Sequence, residues 1–107
     1  MTIFIDLDNT LCITNEMDYE NAKPIKKRID VVNKLYNQHS ITIYTARGSG
    51  SGIDFSELTK KQLSEWGVKY HYLSTGEKPV YDLFIDDKAL SDVNFFESDI
   101  CLKLIEQ

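Results

Sequence analysis

Apolar residues fall along this chain in two kinds of pattern. Within residues 2–7, Ile3, Phe4 and Ile5 are consecutive and either β-branched or aromatic. Such a continuous run predicts a strand buried on both faces, as in a parallel sheet. Further strands are predicted over 40–45, 68–73 and 80–85. Between the first two, Ile25, Ile29, Val32 and Tyr36 share one helical face, with Lys26, Lys27, Arg28 and Lys34 largely elsewhere. Pro24 suits the first turn of that helix. A second helix carries Phe55, Leu58, Leu63 and Trp66 and stops at Gly67, with Asp54 as its cap and Glu57 three residues on. Residues 11–22 have no clear period and read as a long loop or small hairpin. Gly48-Ser49-Gly50-Ser51-Gly52 is a flexible loop by composition. Beyond Ile85 the pattern fades: 94–96 could be a short strand, and 98–105 either helix or strand.

Strands alternating with helices imply right-handed crossovers and a parallel sheet, hence a three-layer, Rossmann-like α/β fold. In such sheets a ligand sits beyond the carboxyl ends of the strands. A length of 107 residues allows a single domain, 1–107. With 42% apolar and 27% charged residues, disorder, collagen and coiled coil are excluded. The net charge of −5 repels a phosphate backbone, so general nucleic-acid binding is not expected. It says nothing against a small phosphorylated substrate, because a local site can oppose the global field. Cys12 and Cys101 share no motif and read as reduced thiols of a cytoplasmic protein. Asp6 and Asp8 precede any long apolar stretch, so no leader is expected. No apolar run nears the roughly 18 residues of a membrane span.

The chemistry-bearing residues gather at predicted strand ends. Asp6-Leu7-Asp8-Asn9-Thr10 ends the first strand, Thr45 the second, and Asp86-Asp87 the fourth, which follows a loop holding Lys78. Parallel neighbours would converge these groups on one sheet edge. Asp6, Asp8, Asp86 and Asp87 would then crowd up to four negative charges. Two such charges 4 Å apart repel by roughly 4 kcal/mol at an effective dielectric of 20. The cluster must bind a cation, protonate or unfold. Mg²⁺ fits best, since it takes few carboxylates and fills its shell with water and phosphate oxygens. With Lys78 and the Thr45 hydroxyl, it would make a cradle for a phosphoryl group.

Asp-x-Asp-x-Thr at a strand end, then a strand-end Thr, then Lys, then Asp-Asp resembles the haloacid dehalogenase (HAD) superfamily of phosphatases. The resemblance covers residues 3 to about 92, with all four motifs in the family's order. The phrases Asp18-Tyr19-Glu20-Asn21-Ala22-Lys23-Pro24, Tyr44-Thr45-Ala46-Arg47-Gly48 and Ile85-Asp86-Asp87-Lys88-Ala89 look like small capless members linked to capsule or sugar-phosphate biosynthesis. It implies that Asp6 attacks phosphorus and that Asp8 serves as acid and then base. It implies that Thr45 and Lys78 hold the phosphoryl oxygens, and that Thr10 fixes the loop. Thr10, Ala46 and Arg47 join Thr45 and Lys78 as candidate substrate-binding residues. Mg²⁺ would take the Asp6 carboxylate, the Asp8 carbonyl and Asp86, with Asp87 just behind. Asn9 stands where the family commonly has Gly, and Asn tolerates left-handed backbone. Neither insert is long enough for a cap domain. The site should therefore be open, or be closed by a second subunit.

Blander readings compete. Arg47 could clamp a second anionic group or simply be a surface arginine. His71, between Tyr70 and Tyr72, reads as packing before catalysis. Trp66 with Phe55 and Leu58 is core spacing, and the Lys26-Lys27-Arg28 run is a solvated face. A signalling receiver domain also joins an acidic pair, an Asp, a Thr and a Lys, but in another order. A small sugar phosphate leads as substrate. A phosphoprotein or a nucleic-acid end is the alternative.

Overall fold

The computed structural model describes residues 1–48, 51–75, 83–86, 90–91, 96 and 104–105; of 83–84, 86 and 90–91 it gives the backbone. Strand β1 is Thr2–Asp6. A small antiparallel pair follows, β2 (Cys12–Ile13) with β3 (Lys23–Pro24), enclosing a 3-10 turn at Tyr19–Asn21. Helix α1 is Lys26–Leu35, β4 is Ser40–Tyr44, α2 is Ser56–Glu65, and β5 is Tyr72–Ser74. Strands β6 (Leu83–Asp86) and β7 (Leu90–Ser91) complete the described elements. The main sheet runs β5-β4-β1-β6-β7 with every pairing parallel. This is a Rossmann-like α/β fold, as the alternation of patterns predicts.

The centre of the sheet shows why the apolar run at 3–5 is unbroken. Side chains alternate between the two faces of a strand. Ile3 and Ile5 are wholly buried on one face, and Phe4 is 2% exposed on the other. Ile41, Thr42 and Ile43 of β4 are buried in the same way. Both faces are therefore covered. Right-handed crossovers from β1 to β4 and from β4 to β5 place α1 and α2 on a single face. Their contacts agree: Lys26 donates to the Trp66 carbonyl at 3.1 Å, and Asn33 to that of Gly67 at 2.9 Å. Ile29, Val32 and Leu35 of α1 and Leu63 of α2 join the strand residues in one core. Each such side chain contributes about 1.5–3 kcal/mol on burial.

Several boundaries differ from expectation. Pro24 pairs with Cys12 in β3, and Ile25 donates its N–H to the Leu11 carbonyl at 2.9 Å. That tie holds Ile25 extended, so α1 starts at Lys26, two residues past Pro24. Asp54 accepts the Ser56 N–H at 2.9 Å, a turn just ahead of α2 rather than a cap. The third strand begins at Tyr72 instead of Val68, because the residues before it serve the helices. Val68 N–H closes the end of α2 on the Leu63 carbonyl, helped by Gly67 at φ +71°, and Lys69 N–H goes to the Asn33 side chain. Strand β7 was not expected. Phe96, Leu104 and Ile105 have helical backbone and pack on the core; the rest of 94–105, the start of the fourth strand and Cys101 lie outside the described residues. Among those described, no helix is long and apolar enough to cross a membrane.

Candidate functional site

Past β1 the chain doubles back, and the N–H groups of Thr10, Leu11 and Cys12 all converge on the Leu7 carbonyl. Asn9 takes the left-handed backbone at φ +63° that this turn needs. Its side-chain oxygen accepts the Thr14 N–H at 3.2 Å, tying the turn to the end of β2. Asp8 sits at the turn's crest, and its carboxylate is the centre of a dense network.

Arg47, three residues past the end of β4, reaches that carboxylate with two nitrogens. Nη2 lies 2.8 Å from Oδ1, and Nε 3.0 Å from Oδ2 and 3.2 Å from Oδ1. The Thr14 hydroxyl adds 2.7 Å to Oδ1, and the Cys12 thiol 3.6 Å. The remaining guanidinium nitrogen, Nη1, donates to Gln62 Oε1 at 2.6 Å and Thr59 Oγ1 at 3.2 Å, both on α2. The Tyr19 ring covers the guanidinium face at 4.8 Å. Gln62 completes the circuit by donating to the Tyr19 carbonyl at 2.6 Å. The Arg47 side chain is 1% exposed and that of Asp8 21%. Burying an arginine is tolerable only when its charge is paired and its nitrogens find acceptors; here Asp8 pairs the charge and each of the three nitrogens donates at least once. Its place corrects the reading of a surface arginine: the side chain is buried, and Asp8, Thr59 and Gln62 accept from its Nε, Nη1 and Nη2.

The Cys12 thiol shares this crowded place, at 3.6 Å from the Leu7 carbonyl as well as from Asp8. Burial first, with the Asp8 charge adding to it, pushes its pKa up to about 11 against the relief from Thr14 and Arg47. It is a protonated, buried, free thiol.

The strand edge beside this network assembles differently. Asp6 lies opposite Tyr44, so Thr45 follows at the next strand end. Ile5 lies opposite Ile85, and Asp86 follows at the end of β6. Hydrogen-bonded neighbours lie about 4.8 Å apart. The backbone thus brings Asp6, Thr45 and Asp86 to one carboxyl edge. Thr45 is 1% exposed; its Oγ1 accepts the Arg47 N–H at 3.1 Å, which leaves its own proton to donate. Thr10 is fully buried, and its hydroxyl has no partner among the described residues, while its carbonyl accepts from Arg28 at 3.0 Å. Lys78 and Asp87 lie outside the described residues. His71 is structural: its Nδ1 accepts the Ile41 N–H at 3.0 Å and its ring stacks on Tyr36 at 4.3 Å.

Among the described residues no three His, Cys, Asp or Glu side chains are grouped for a metal. Arg47 also changes the electrostatic balance, since it neutralises Asp8 within the expected acid cluster. What Asp8 can still offer a cation is its backbone carbonyl. If a cation is held at this edge, Asp6, Asp86 and that carbonyl would be its oxygen donors, the kind of ligand Mg²⁺ takes.

Two hollows open beside Thr45. A polar one of about 170 Å³ is lined by Thr45, Arg47, Asp54, Ser56, Thr59 and Thr75. The other, about 560 Å³, is walled by Met17, Tyr19, Ala46, Ile53 and Phe55. Gly48, Ile53 and Phe55 border both. Tyr19 meets Phe55 edge to face at 4.9 Å, while Met17 and Ile53 stand 75% and 58% exposed at the mouth. Sequence reasoning missed Thr14, Tyr19, Thr59, Gln62 and Thr75. The detectable signal was in α2, where Thr59 and Gln62 share the inward stripe of Phe55, Leu63 and Trp66.

No protein-family model matches the sequence, and no curated protein matches it. Two solved structures are similar in fold. A structural-genomics target from Vibrio cholerae, known from a crystal structure, is 27% identical with a TM-score of 0.62, over 98% of this chain and 96% of that one. A chain from a Pnkp1/Rnl/Hen1 complex is 15% identical with a TM-score of 0.60, over 94% of this chain and 43% of that one.

Proposed function

We propose that this chain is a Mg²⁺-dependent phosphomonoester hydrolase of HAD type that works through an aspartyl-phosphate. The observation that carries the reading is the strand register, which sets Asp6 and Asp86 on neighbouring strands at the carboxyl edge with Thr45 beside them. Asp6 would attack phosphorus and hold the phosphoryl group as an acyl phosphate. Asp8, on the turn just beyond, would give a proton to the leaving oxygen and recover one from the water that hydrolyses the intermediate. The buried Thr45 hydroxyl would donate to a phosphoryl oxygen, and Lys78 would hold the phosphoryl charge. Asp6, the Asp8 carbonyl and Asp86 would hold Mg²⁺, with Asp87 behind, and the ion would supply charge to the transferring group.

The substrate proposed is a small sugar phosphate or related metabolite. The apolar walls of the larger hollow favour, within that class, a leaving group with one apolar face. The test is turnover of p-nitrophenyl phosphate with Mg²⁺, with EDTA, and in Asp6→Asn. Loss of at least 10³-fold in Asp6→Asn, and dependence on the ion, are expected. Turnover retained by Asp6→Asn sinks the nucleophile assignment.

A further inference from the structure

The network around Asp8 assigns a role to Arg47 that contact with a substrate does not explain. We infer that Arg47 is a positioning residue that pins the Asp8 carboxylate so that Oδ2 is the oxygen that carries the transferred proton. The inference rests on the phosphatase reading and deepens it.

The two carboxylate oxygens are unequally used. Oδ1 receives Arg47 Nη2 at 2.8 Å, the Thr14 hydroxyl at 2.7 Å, Nε at 3.2 Å and the Cys12 thiol at 3.6 Å. Among the described residues Oδ2 receives Nε alone, at 3.0 Å. An oxygen already accepting from a guanidinium and a hydroxyl has no lone pair left for a proton, whereas Oδ2 keeps one. A lysine could supply the charge, but not two donors in a fixed fork. Arg47 is itself held: Gln62 and Thr59 take Nη1, and Tyr19 lies on its face. α2 thereby fixes the orientation of a side chain on the β1 turn.

In the first step the ester oxygen–phosphorus bond breaks as the bond from Asp6 to phosphorus forms, and the departing oxygen takes the proton from Asp8 Oδ2. In the second, water adds to phosphorus, its proton returns to Oδ2, and phosphate leaves Asp6 as a carboxylate. Net, one ester and one water give one alcohol and one phosphate. Arg47 stays cationic and touches neither reactant.

The experiment compares two esters in wild type, Arg47→Lys and Thr14→Val. Glycerol 2-phosphate leaves as an alkoxide that must be protonated; p-nitrophenyl phosphate leaves as a stable phenolate. General acid help is worth about 10²–10⁴ in rate. In Arg47→Lys, kcat/KM, which ends at departure of the leaving group, should fall about 100-fold for the glycerol ester and less than 3-fold for the nitrophenyl ester. Thr14→Val, which keeps shape and removes one donor to Oδ1, should show the same selectivity at about 5-fold. Equal losses with both esters, or a rise in KM with kcat kept, would overturn the inference and leave the phosphatase standing. Wild-type protein inert toward both esters with Mg²⁺ would overturn the phosphatase reading and the inference with it.

Discussion

Two halves of the candidate site lie side by side and are built by opposite means. Asp6, Thr45 and Asp86 meet because strand register carries them there; hydrogen bonds of the sheet set their places before any side chain is considered. Asp8 and Arg47 meet because four side chains from three separate stretches close around them: Thr14, Tyr19, and Thr59 with Gln62 on α2. The first arrangement is expected to outlast substitution of its side chains, since the backbone holds the geometry. The second depends on every member, since each buried donor needs its acceptor. A group meant to bind a cation or attack phosphorus can stand on the rigid edge. A group meant to carry a proton on one chosen oxygen needs the tailored surround.

The contrast can be broken at its strongest point. Arg47→Met removes the buried cation and leaves Asp8, Thr59 and Gln62 without it. Breaking a buried pair costs roughly 3–5 kcal/mol; with Asp8 a fifth exposed, about 2–4 kcal/mol is expected. In the double variant with Asp8→Asn the loss should be smaller than the sum of the two, by more than 1 kcal/mol. Asp6→Asn should change stability by less than 1 kcal/mol. Urea unfolding of the four proteins reads this directly. Additive losses, or an Asp6→Asn protein as unstable as Arg47→Met, would remove the distinction between the two halves.

That distinction also explains what the sequence discloses. Ile3-Phe4-Ile5 announces a strand covered on both faces, and its acids stand at the next positions, so the edge is legible once the strands are ordered. The left-handed turn is legible from Asn9, which adopts φ +63°. Arg47 is not, because its partners come 28 to 39 residues before it and 12 and 15 after it by chain, and no local period links them. Tyr19 lies in an insert with no pattern to read. Pro24 misled for a like reason: a non-local bond from Ile25 to Leu11 outweighs the helical preference of its ring. The third strand was placed too early because side-chain and cap bonds around Val68 and Lys69 compete with the sheet for the same N–H groups.

A smaller effect tests how the network and the apolar hollow are joined. Gly48 lies between them at φ +83°, its carbonyl accepts the Gly52 N–H at 2.9 Å, and a Cβ there would run into the Ile53 carbonyl. Gly48→Ala should therefore cost about 1–2 kcal/mol of stability. It should also shift Ile53 and raise KM several-fold for esters with an apolar leaving group, more than for glycerol 2-phosphate. An Ala variant of unchanged stability would show that this loop is not held as described.

The smallest effect lies inside the network and appears only in alkali. The Cys12 thiol has its pKa raised to about 11 in the fold, against an ordinary value near 9, chiefly by burial. Below pH 9 it is protonated folded or unfolded, and its contribution to stability is whole. Between pH 9 and 11 the unfolded chain ionises while the folded one resists, so stability falls as pH rises. Two units correspond to at most about 2–3 kcal/mol. Lysines and tyrosines titrate in the same window, so the reading is the difference between wild type and Cys12→Ala. The gap between their unfolding free energies should narrow or reverse from pH 8.5 to pH 11, while iodoacetamide labels native Cys12 slowly at pH 8. A gap constant with pH would mean that the thiol is not confined beside the Asp8 carboxylate, and that this turn is looser than a proton carrier fixed at one oxygen requires.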